Sequence, residues 1–226
     1  MTPPNGFIKR SQSFEITLNV LLLNMVKWIC KDWMCRPDSE MVNDAIHYGH
    51  IEMMEVLIQE YKVLPSSAAA NDAAEFGNLP LLERLAELQV LPTFYTGPNR
   101  DIGNGYIRVM DWMTKHKIWP DTRGADLAAM KGHLVALEWL KIRRIQPSVY
   151  GANLAAEYGH IHILEWMATL PNVDGANWAA KNGQMDVLEW LRIRNILPNN
   201  AGFESALKKN QMKVLEWAIH HQLICL

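Results

Sequence analysis

The stretch NLAAEYGHIHILEWMATLP, residues 153–171, contains the pattern that decides the fold. Paired alanines precede a glycine, a leucine-rich segment with a tryptophan follows it, and a proline ends the unit. The pattern recurs with glycine at 49, 77, 105, 132, 159 and 183 and with Asn210 in the last copy, so the steps are 28, 28, 27, 27, 24 and 27 residues. Such a period is typical of a solenoid, whose units bury their apolar faces by stacking on one another.

Each copy predicts two short helices. Alanines three and four residues before the glycine favour helix and let another backbone approach closely. Glycine suits the left-handed residue that ends a helix, and the apolar residues after it recur at helical spacing. A proline then ends the second helix, and Ser66, Asp121, Ser148 and Asn199 are the predicted N-caps that follow. The sequence therefore predicts an all-α chain of helix-turn-helix repeats.

A tryptophan stands seven residues after the glycine in most copies. The position holds Trp112, Trp139, Trp166, Trp190 and Trp217, with Trp28 in a degenerate first copy. Because each lies beside a residue of the apolar stripe, we interpret the column as inter-repeat core, with a ligand-stacking column as the alternative. The residue before it is acidic in seven copies. We interpret these acids as a solvent-facing surface, since one acid per repeat forms no acid–base pair.

A polar residue recurs six residues before the glycine. These residues are Asn43, Asn71, Asn99, Asp126, Asn153, Asn177 and Glu204. Our hypothesis is a ladder in which each side chain bonds the loop backbone of an adjacent repeat, with partner binding as the alternative. The junction residues His50, His133 and His160 are predicted to start the second helices. No metal site is predicted, because His160 and His162 do not share a helical face.

Composition narrows the functional classes. The 226 residues are 49% hydrophobic and contain no linker or low-complexity tract, which favours one continuous array. A net charge of −2, from 22 basic and 24 acidic residues, argues against nucleic acid or an anionic membrane as a partner. The apolar run at 18–29 is too short to span a bilayer. Three cysteines form no disulfide framework, so we expect an intracellular, cytoplasmic protein.

Catalytic chemistry has no support in the motifs. The sequence has no glycine-rich phosphate loop, no Cys-x-x-Cys and no His-Glu-x-x-His helix. A nucleophile assembled from Cys30 or Cys35 with His47 lacks any motif that would bring the two together. We therefore predict no enzyme activity, no catalytic residue, no metal and no cofactor.

Two segments carry a family resemblance. AAEYGH (155–160) followed by ILEWM (163–167), and AAMKGH (128–133) followed by ALEWL (136–140), resemble the ankyrin repeat in its short, tryptophan-containing form, found in microbial eukaryotes and large DNA viruses. Ankyrin repeats run to about 33 residues and carry Thr-Pro-Leu-His, whereas this chain has Gly-Ala-Asn at 151–153 and 175–177. The missing residues fall where ankyrin has its β-hairpin. The resemblance implies an ankyrin-like α-solenoid with reduced or absent β-hairpins.

The resemblance also implies a division of the chain. Residues 1–13 are expected to be a disordered tail, 14–38 a degenerate N-terminal capping repeat, and 39–226 seven repeats, the last a C-terminal cap. Residues 93–105 lack the alanine pair and carry Gly97, Pro98 and Gly103, which predicts a loop-like or distorted turn. That turn is either a neutral defect or a recognition element using Phe94, Tyr95 and Arg100.

Ankyrin arrays recognise proteins with their concave side, so the resemblance implies a monomeric, non-catalytic scaffold for an unknown partner protein. The expected contacts stand one and two residues before the glycine: His47, Tyr48, Glu75, Phe76, Met130, Lys131, Glu157, Tyr158, Lys181 and Asn182. Their aromatic rings could instead cover the glycine turn of their own repeat. The alternative function is a substrate-recognition adaptor of a ubiquitin ligase, because residues 28–33 resemble the end of an F-box.

Overall fold

The computed structural model describes Asn24, Lys27, Trp28, residues 36–93, Asn99, Ile102 and residues 104–224. These residues form paired α-helices and no strand, which confirms the all-α prediction for this part of the chain. Two compact units are present: unit 1 comprises residues 1–73 and 80–93, and unit 2 comprises residues 74–79 and 94–226. The predicted tail at 1–13 and most of the capping repeat at 14–38 lie outside the described residues, so those boundaries stay predictions.

Each repeat contributes a first and a second helix. In chain order the helices are α1 (Ser39–His47), α2 (Ile51–Gln59), α3 (Ser67–Glu75), α4 (Leu79–Glu87), α5 (Ile107–Lys115), α6 (Thr122–Lys131), α7 (Leu134–Ile142), α8 (Val149–Glu157), α9 (Ile161–Trp166), α10 (Val173–Lys181), α11 (Met185–Arg192), α12 (Asn200–Lys208) and α13 (Met212–His220). In the irregular copy Asn99, Ile102 and Asn104 are helical. Phe94, Tyr95 and Arg100 of that copy lie outside the described residues.

The turn between the two helices of a repeat depends on a left-handed residue. Gly132 follows α6 with φ 74°, and Gly159 takes the same conformation after α8 with φ 81°. Asn210 holds φ 57° in the copy without glycine. The next residue starts the second helix, as predicted for His50, His133 and His160. The chain thus reverses direction over the two or three residues between the described first and second helices.

The polar ladder is confirmed for six of its seven predicted residues; the seventh, Glu204 of the last copy, is exposed. Asn153 Oδ1 accepts a hydrogen bond from the backbone N–H of Asn172 at 2.9 Å, and its Nδ2 donates to Asn172 Oδ1 at 2.8 Å. Asn172 is the N-cap of α10, so the amide of one repeat holds the helix start of the next. The other bonded pairs are Asn43–Ser66 and Asn71–Thr93 in unit 1, and Asn99–Asp121, Asp126–Ser148 and Asn177–Asn199 in unit 2.

A glycine in the first turn allows this close approach in unit 2. A Cβ on Gly175 would lie 2.5 Å from Oδ1 of Asn153, closer than carbon and oxygen can pack. Gly124, Gly151 and Gly202 face the ladder residues Asn99, Asp126 and Asn177 in the same way. The sequence analysis treated Gly151 and Gly175 only as a departure from the ankyrin motif. A glycine recurs three residues after each N-cap in unit 2, and this recurrence is the sequence signal from which the close contact could have been predicted.

The core runs along the stacked helices. The paired alanines, such as Ala155 and Ala156, are fully buried between first helices, as predicted. Trp139, Trp190 and Trp217 are each 9% exposed and Trp112 is 7% exposed, which confirms the core interpretation for these four. Trp166 is only half-buried. The interpretation is wrong for Trp28, which is 55% exposed beside a lysine, Lys27, that pairs with Glu60 at 2.7 Å.

Candidate functional site

The tryptophan column of unit 2 has polar partners that the sequence analysis missed. Trp139 Nε1 donates to Asp111 Oδ1 of the preceding repeat at 2.8 Å, and Trp217 Nε1 donates to Glu189 Oε2 at 3.0 Å. Asp111 and Glu189 are therefore inter-repeat acceptors, and the interpretation of the recurring acids as a solvent-facing surface was incomplete for these two. The guanidinium of Arg192, with a smaller contribution from Trp217, lowers the pKa of Glu189 to about 2. In unit 1, Arg84 replaces the tryptophan and donates to Glu55 at 2.8 and 3.0 Å.

Trp190 departs from this arrangement. Among the described residues its Nε1 is a buried donor without a hydrogen-bond partner. The preceding acid, Glu165, stands 25 residues before Trp190, whereas each bonded pair in unit 2 is 28 residues apart. The 24-residue step between Gly159 and Gly183 thus removes about one helical turn and moves the acceptor away from the indole.

Basic residues gather at the C-terminal ends of the second helices in unit 2. We define the basic edge as Lys115, Lys117, Lys141, Arg143, Arg144, Arg192 and Arg194. Segments 113–119, 140–146 and 191–197, which contain these residues, hold no Asp or Glu. Because α5, α7 and α11 are second helices of one stack, their ends lie along one side of it. The signal in the sequence was a Lys or Arg eleven or twelve residues after the glycine, with another nine or ten residues after it.

The backbone conformation and the ion pairs of these residues determine which of the cations are exposed and which are partly neutralised. Lys117 and Arg144 each stand two residues after the end of α5 and α7. Both have a left-handed backbone conformation, with φ 61° and 62°, and both side chains are exposed. Arg143 stacks on Trp139 at 3.4 Å from the ring centroid and lies 3.7 Å from Asp111. Arg192 pairs with Glu189 within its own helix. The edge therefore combines partly neutralised guanidinium groups with exposed cations.

Aromatic side chains are interleaved with the basic edge. Trp119 follows α5 and is 45% exposed, and Tyr150 in the first turn of α8 is 56% exposed. The Tyr150 ring meets Trp178 edge to face at 5.9 Å. Trp166 ends α9 with the Lys141 ammonium 4.9 Å from its ring centroid. This side of unit 2 thus offers cations and aromatic faces together.

The residues predicted as partner contacts lie at or next to the C-terminal ends of the first helices. In unit 1, His47 and Tyr48 are exposed at the end of α1. In unit 2, Phe76, Lys131 and Tyr158 are exposed, and Glu75, Met130, Glu157, Lys181 and Asn182 are half-buried.

Within unit 2, some of these predicted contact residues are linked in a row. Asn182 donates from Nδ2 to Glu157 Oε1 at 3.1 Å and accepts from Lys209 Nζ at 3.3 Å. Lys131 Nζ donates to Asn104 Oδ1 at 2.5 Å. These bonds join neighbouring repeats, so part of the row stabilises the stack. Its role as a partner surface stays a prediction.

The histidines that precede α7 and α9 pack on the glycine turns of the preceding repeats. A Cβ on Gly132 would lie 2.9 Å from the His160 ring, and one on Gly105 would lie 3.3 Å from the His133 ring. Burial lowers the pKa of both histidines. The part of the chain that the structure covers has no group of three His, Cys, Asp or Glu placed to hold a metal. No helix in that part is long and apolar enough to cross a membrane.

Comparisons with known proteins give only structural similarities. No family model and no curated protein matches the chain. The solved structure of the pentatricopeptide repeat protein PPR10 from maize matches with 16% identity and a TM-score of 0.44, over 90% of this chain and 37% of that one. PPR10 in complex with an 18-nt psaJ RNA element matches with 17% identity and a TM-score of 0.48, over 94% and 37%. The chain thus spans little more than a third of these proteins.

These findings contradict the ankyrin assignment, because no ankyrin model matches and the similar structures above are pentatricopeptide repeat proteins. The physical reason is that paired alanines, a left-handed glycine and a leucine-rich second helix serve any stack of helical hairpins. The sequence lacks the Thr-Pro-Leu-His motif and the length of about 33 residues that are specific to ankyrin repeats. The coarser description, an all-α helical-repeat chain, holds for the described residues.

The functions drawn from that assignment are contradicted with it. The protein-interaction scaffold rested on the ankyrin resemblance and the ligase adaptor on the F-box resemblance of residues 28–33, whereas two similar structures contain PPR10 with RNA. The exclusion of nucleic acid is contradicted as well. That exclusion rested on the net charge of the whole chain, which carries no information about cations concentrated at one edge. Since both TM-scores are below 0.5, we draw nothing about ligands from these similarities.

Proposed function

We propose that unit 2 is a non-catalytic module that binds single-stranded nucleic acid along the basic edge. The observation that carries the proposal is the interleaving of exposed cations with Trp119, Tyr150 and Trp166 on one side of the stack. Proteins that bind single strands combine a basic track for the phosphates with aromatic faces on which bases stack. An intracellular, cytoplasmic location belongs to the same proposal.

Local charge supports this function although the whole chain is slightly acidic. Charges more than about 8 Å apart are largely screened at physiological ionic strength, so the net charge summed over the whole chain does not set the local charge of this edge. Asp111 and Glu189 pair with Arg143 and Arg192 of the edge, so these two guanidinium groups are partly neutralised. The groups expected to contact phosphates are therefore the exposed cations Lys115, Lys117, Lys141 and Arg144.

The aromatic residues favour a single strand over a duplex. Stacking on a side chain requires an unstacked base, which a duplex does not present. Tyr150 and Trp166 are contributed by α8 and α9, the two helices of one repeat, so this repeat supplies two aromatic side chains. Affinity is expected to come mainly from phosphate contacts and selectivity for single strands from stacking.

Fluorescence anisotropy with short labelled RNA, DNA and duplex probes tests the proposal. Single strands should bind more tightly than the duplex, and affinity should fall steeply between about 50 and 200 mM salt. Lys115→Gln with Lys117→Asn and Arg144→Asn should weaken binding by about tenfold and flatten the salt dependence by about 0.7 in log–log slope per lost phosphate contact. Asparagine suits the two left-handed positions, since Asn195 occupies the matching one.

The matched control removes three cations elsewhere in unit 2. Lys181→Gln, Lys208→Gln and Lys213→Gln change the charge equally at the opposite ends of the helices. Affinity close to that of the unaltered chain supports the basic edge. Equal weakening in both triple variants, or no single-strand binding at low salt, contradicts the proposal.

A further inference from the structure

The shortened second helix α9 opens a notch in the basic edge. It ends at Trp166 after six residues, because Met167 turns to extended backbone with ψ 139°. In the neighbouring repeats, the residue four positions after the tryptophan is an arginine that stacks on the indole. Arg143 lies 3.4 Å from the ring centroid of Trp139, and Arg194 lies 3.6 Å from that of Trp190. Leu170 stands at that position after Trp166. The Trp166 ring is consequently half-buried, whereas Trp139 and Trp190 are buried.

The notch has a defined lining. Lys141, Gln146, Pro147, Trp166 and Ala168 surround a cavity of about 80 Å³. A water molecule needs about 10–15 Å³ measured in this way, so the cavity has room for several waters or for one planar ring entering from the open side. The lining supplies an indole face, a primary amide and an ammonium group. These are the groups that stack a base, hydrogen-bond its edge and attract its phosphate.

The position of Lys141 determines which ligand fits. Its Nζ lies 4.9 Å from the Trp166 ring centroid, so the electron-rich face already has a cation nearby. A cationic ligand would meet repulsion there, whereas a planar ring bearing an anionic group gains from both side chains. Arg144, exposed in the loop after α7, adds positive charge at the same edge.

We propose that this notch binds one unstacked nucleobase of a bound single strand, with Trp166 as its stacking face and Lys141 near its phosphate. The inference rests on the proposed function and names the base-binding position within it. Gln146 can donate and accept hydrogen bonds at the base edge, so it is the residue that would set base preference.

Strand binding by three variants tests the notch. Trp166→Leu should weaken binding of a short RNA or DNA strand by about five- to a hundredfold while leaving the salt slope unchanged, because phosphate contacts remain. Trp166→Phe should restore most of the affinity, since it keeps a stacking ring. Leu207→Ala, exposed near the C-terminal end of α12, is the control and should have no effect. Far-UV circular dichroism and the urea midpoint check that each variant is folded.

A probe without bases separates the two proposals. An abasic sugar–phosphate strand should bind more weakly than the normal strand and equally to the unaltered chain and to Trp166→Leu. If the normal strand binds through the basic edge but Trp166→Leu has no effect on it, the notch inference is overturned and the proposed function stands. If no strand binds at low salt, both are overturned.

Discussion

The side-chain amide of Asn153 holds the backbone N–H of Asn172, the first residue of the next helical hairpin, at 2.9 Å. The same relationship recurs from α1 to α12 with Asn or Asp as the acceptor. Each repeat thereby places the start of the following first helix. The basic edge depends on this placement, because its cations stand in the segments that lead into those helix starts.

Removing one ladder amide should destabilise the chain. Asn153→Ala leaves the Asn172 N–H without its protein acceptor and should lower the free energy of unfolding by about 1–2 kcal/mol. Urea denaturation followed by far-UV circular dichroism measures this. Asn200→Ala, at an exposed position of α12, is the control and should change stability by less than about 0.5 kcal/mol. A midpoint for Asn153→Ala equal to that of the unaltered chain would count against the ladder as a stabilising element.

Two tryptophans allow a matched test of the indole–carboxylate bond. Trp139 and Trp190 have the same exposure and each carries a stacked arginine, but only Trp139 has a hydrogen-bond acceptor. Phenylalanine removes the indole N–H in both. Trp139→Phe should therefore cost about 1–2 kcal/mol more than Trp190→Phe, since the latter loses no bond. Equal losses in urea denaturation would mean that the Asp111 bond contributes nothing measurable.

The loss of folding stability at acid pH should depend on the protonation of His160. Burial lowers the pKa of this histidine below its ordinary value of 6.5 in the folded chain. Below pH 6.5 the unfolded chain takes up a proton that the folded chain accepts only at lower pH, so stability falls as the pH is lowered through that range. His160→Gln copies Gln184 and Gln211, which pack on the corresponding glycines, and should reduce this loss. Urea midpoints at pH 7.5 and 5.5, with exposed His220→Gln as control, test the effect; an unchanged pH dependence in His160→Gln contradicts it.

The one buried carboxylate of the ladder should be replaceable with a gain. Burial raises the pKa of Asp126 above its ordinary value of 3.8, so the folded state is penalised when the group is ionised at neutral pH. Asp126→Asn retains both bonds to Ser148, since Asn43 bonds Ser66 in that way. The variant should be more stable at pH 7, with a smaller gain at pH 4, because the raised pKa leaves Asp126 more protonated there than an ordinary aspartate and the protonated group carries no such penalty. Thermal unfolding at the two pH values measures this, and a loss of stability at pH 7 would oppose the assignment.

Much of the repeat could be predicted from local signals. Gly132 and Gly159 adopt the left-handed turn that glycine favours, and Asp121, Ser148 and Asn199 cap their helices as expected. These features depend on a few neighbouring residues, so periodicity and capping rules suffice. The ladder was also predictable, because an amide that recurs in a buried stack needs a recurring partner. Family assignment failed because the same local rules serve every hairpin stack.

The sequence by itself determined the period, the paired helices, the caps and the buried tryptophan column, because each follows from backbone preferences and apolar spacing within one repeat. Only the tertiary structure decided that Lys117 and Arg144 share an edge, and that Lys141 stands over Trp166 of the next repeat. Those side chains are about 25 residues or more apart, and stacking alone brings them together. Charge summed along the chain could not reveal the edge, since electrostatic fields depend on distance in space and not on position in sequence.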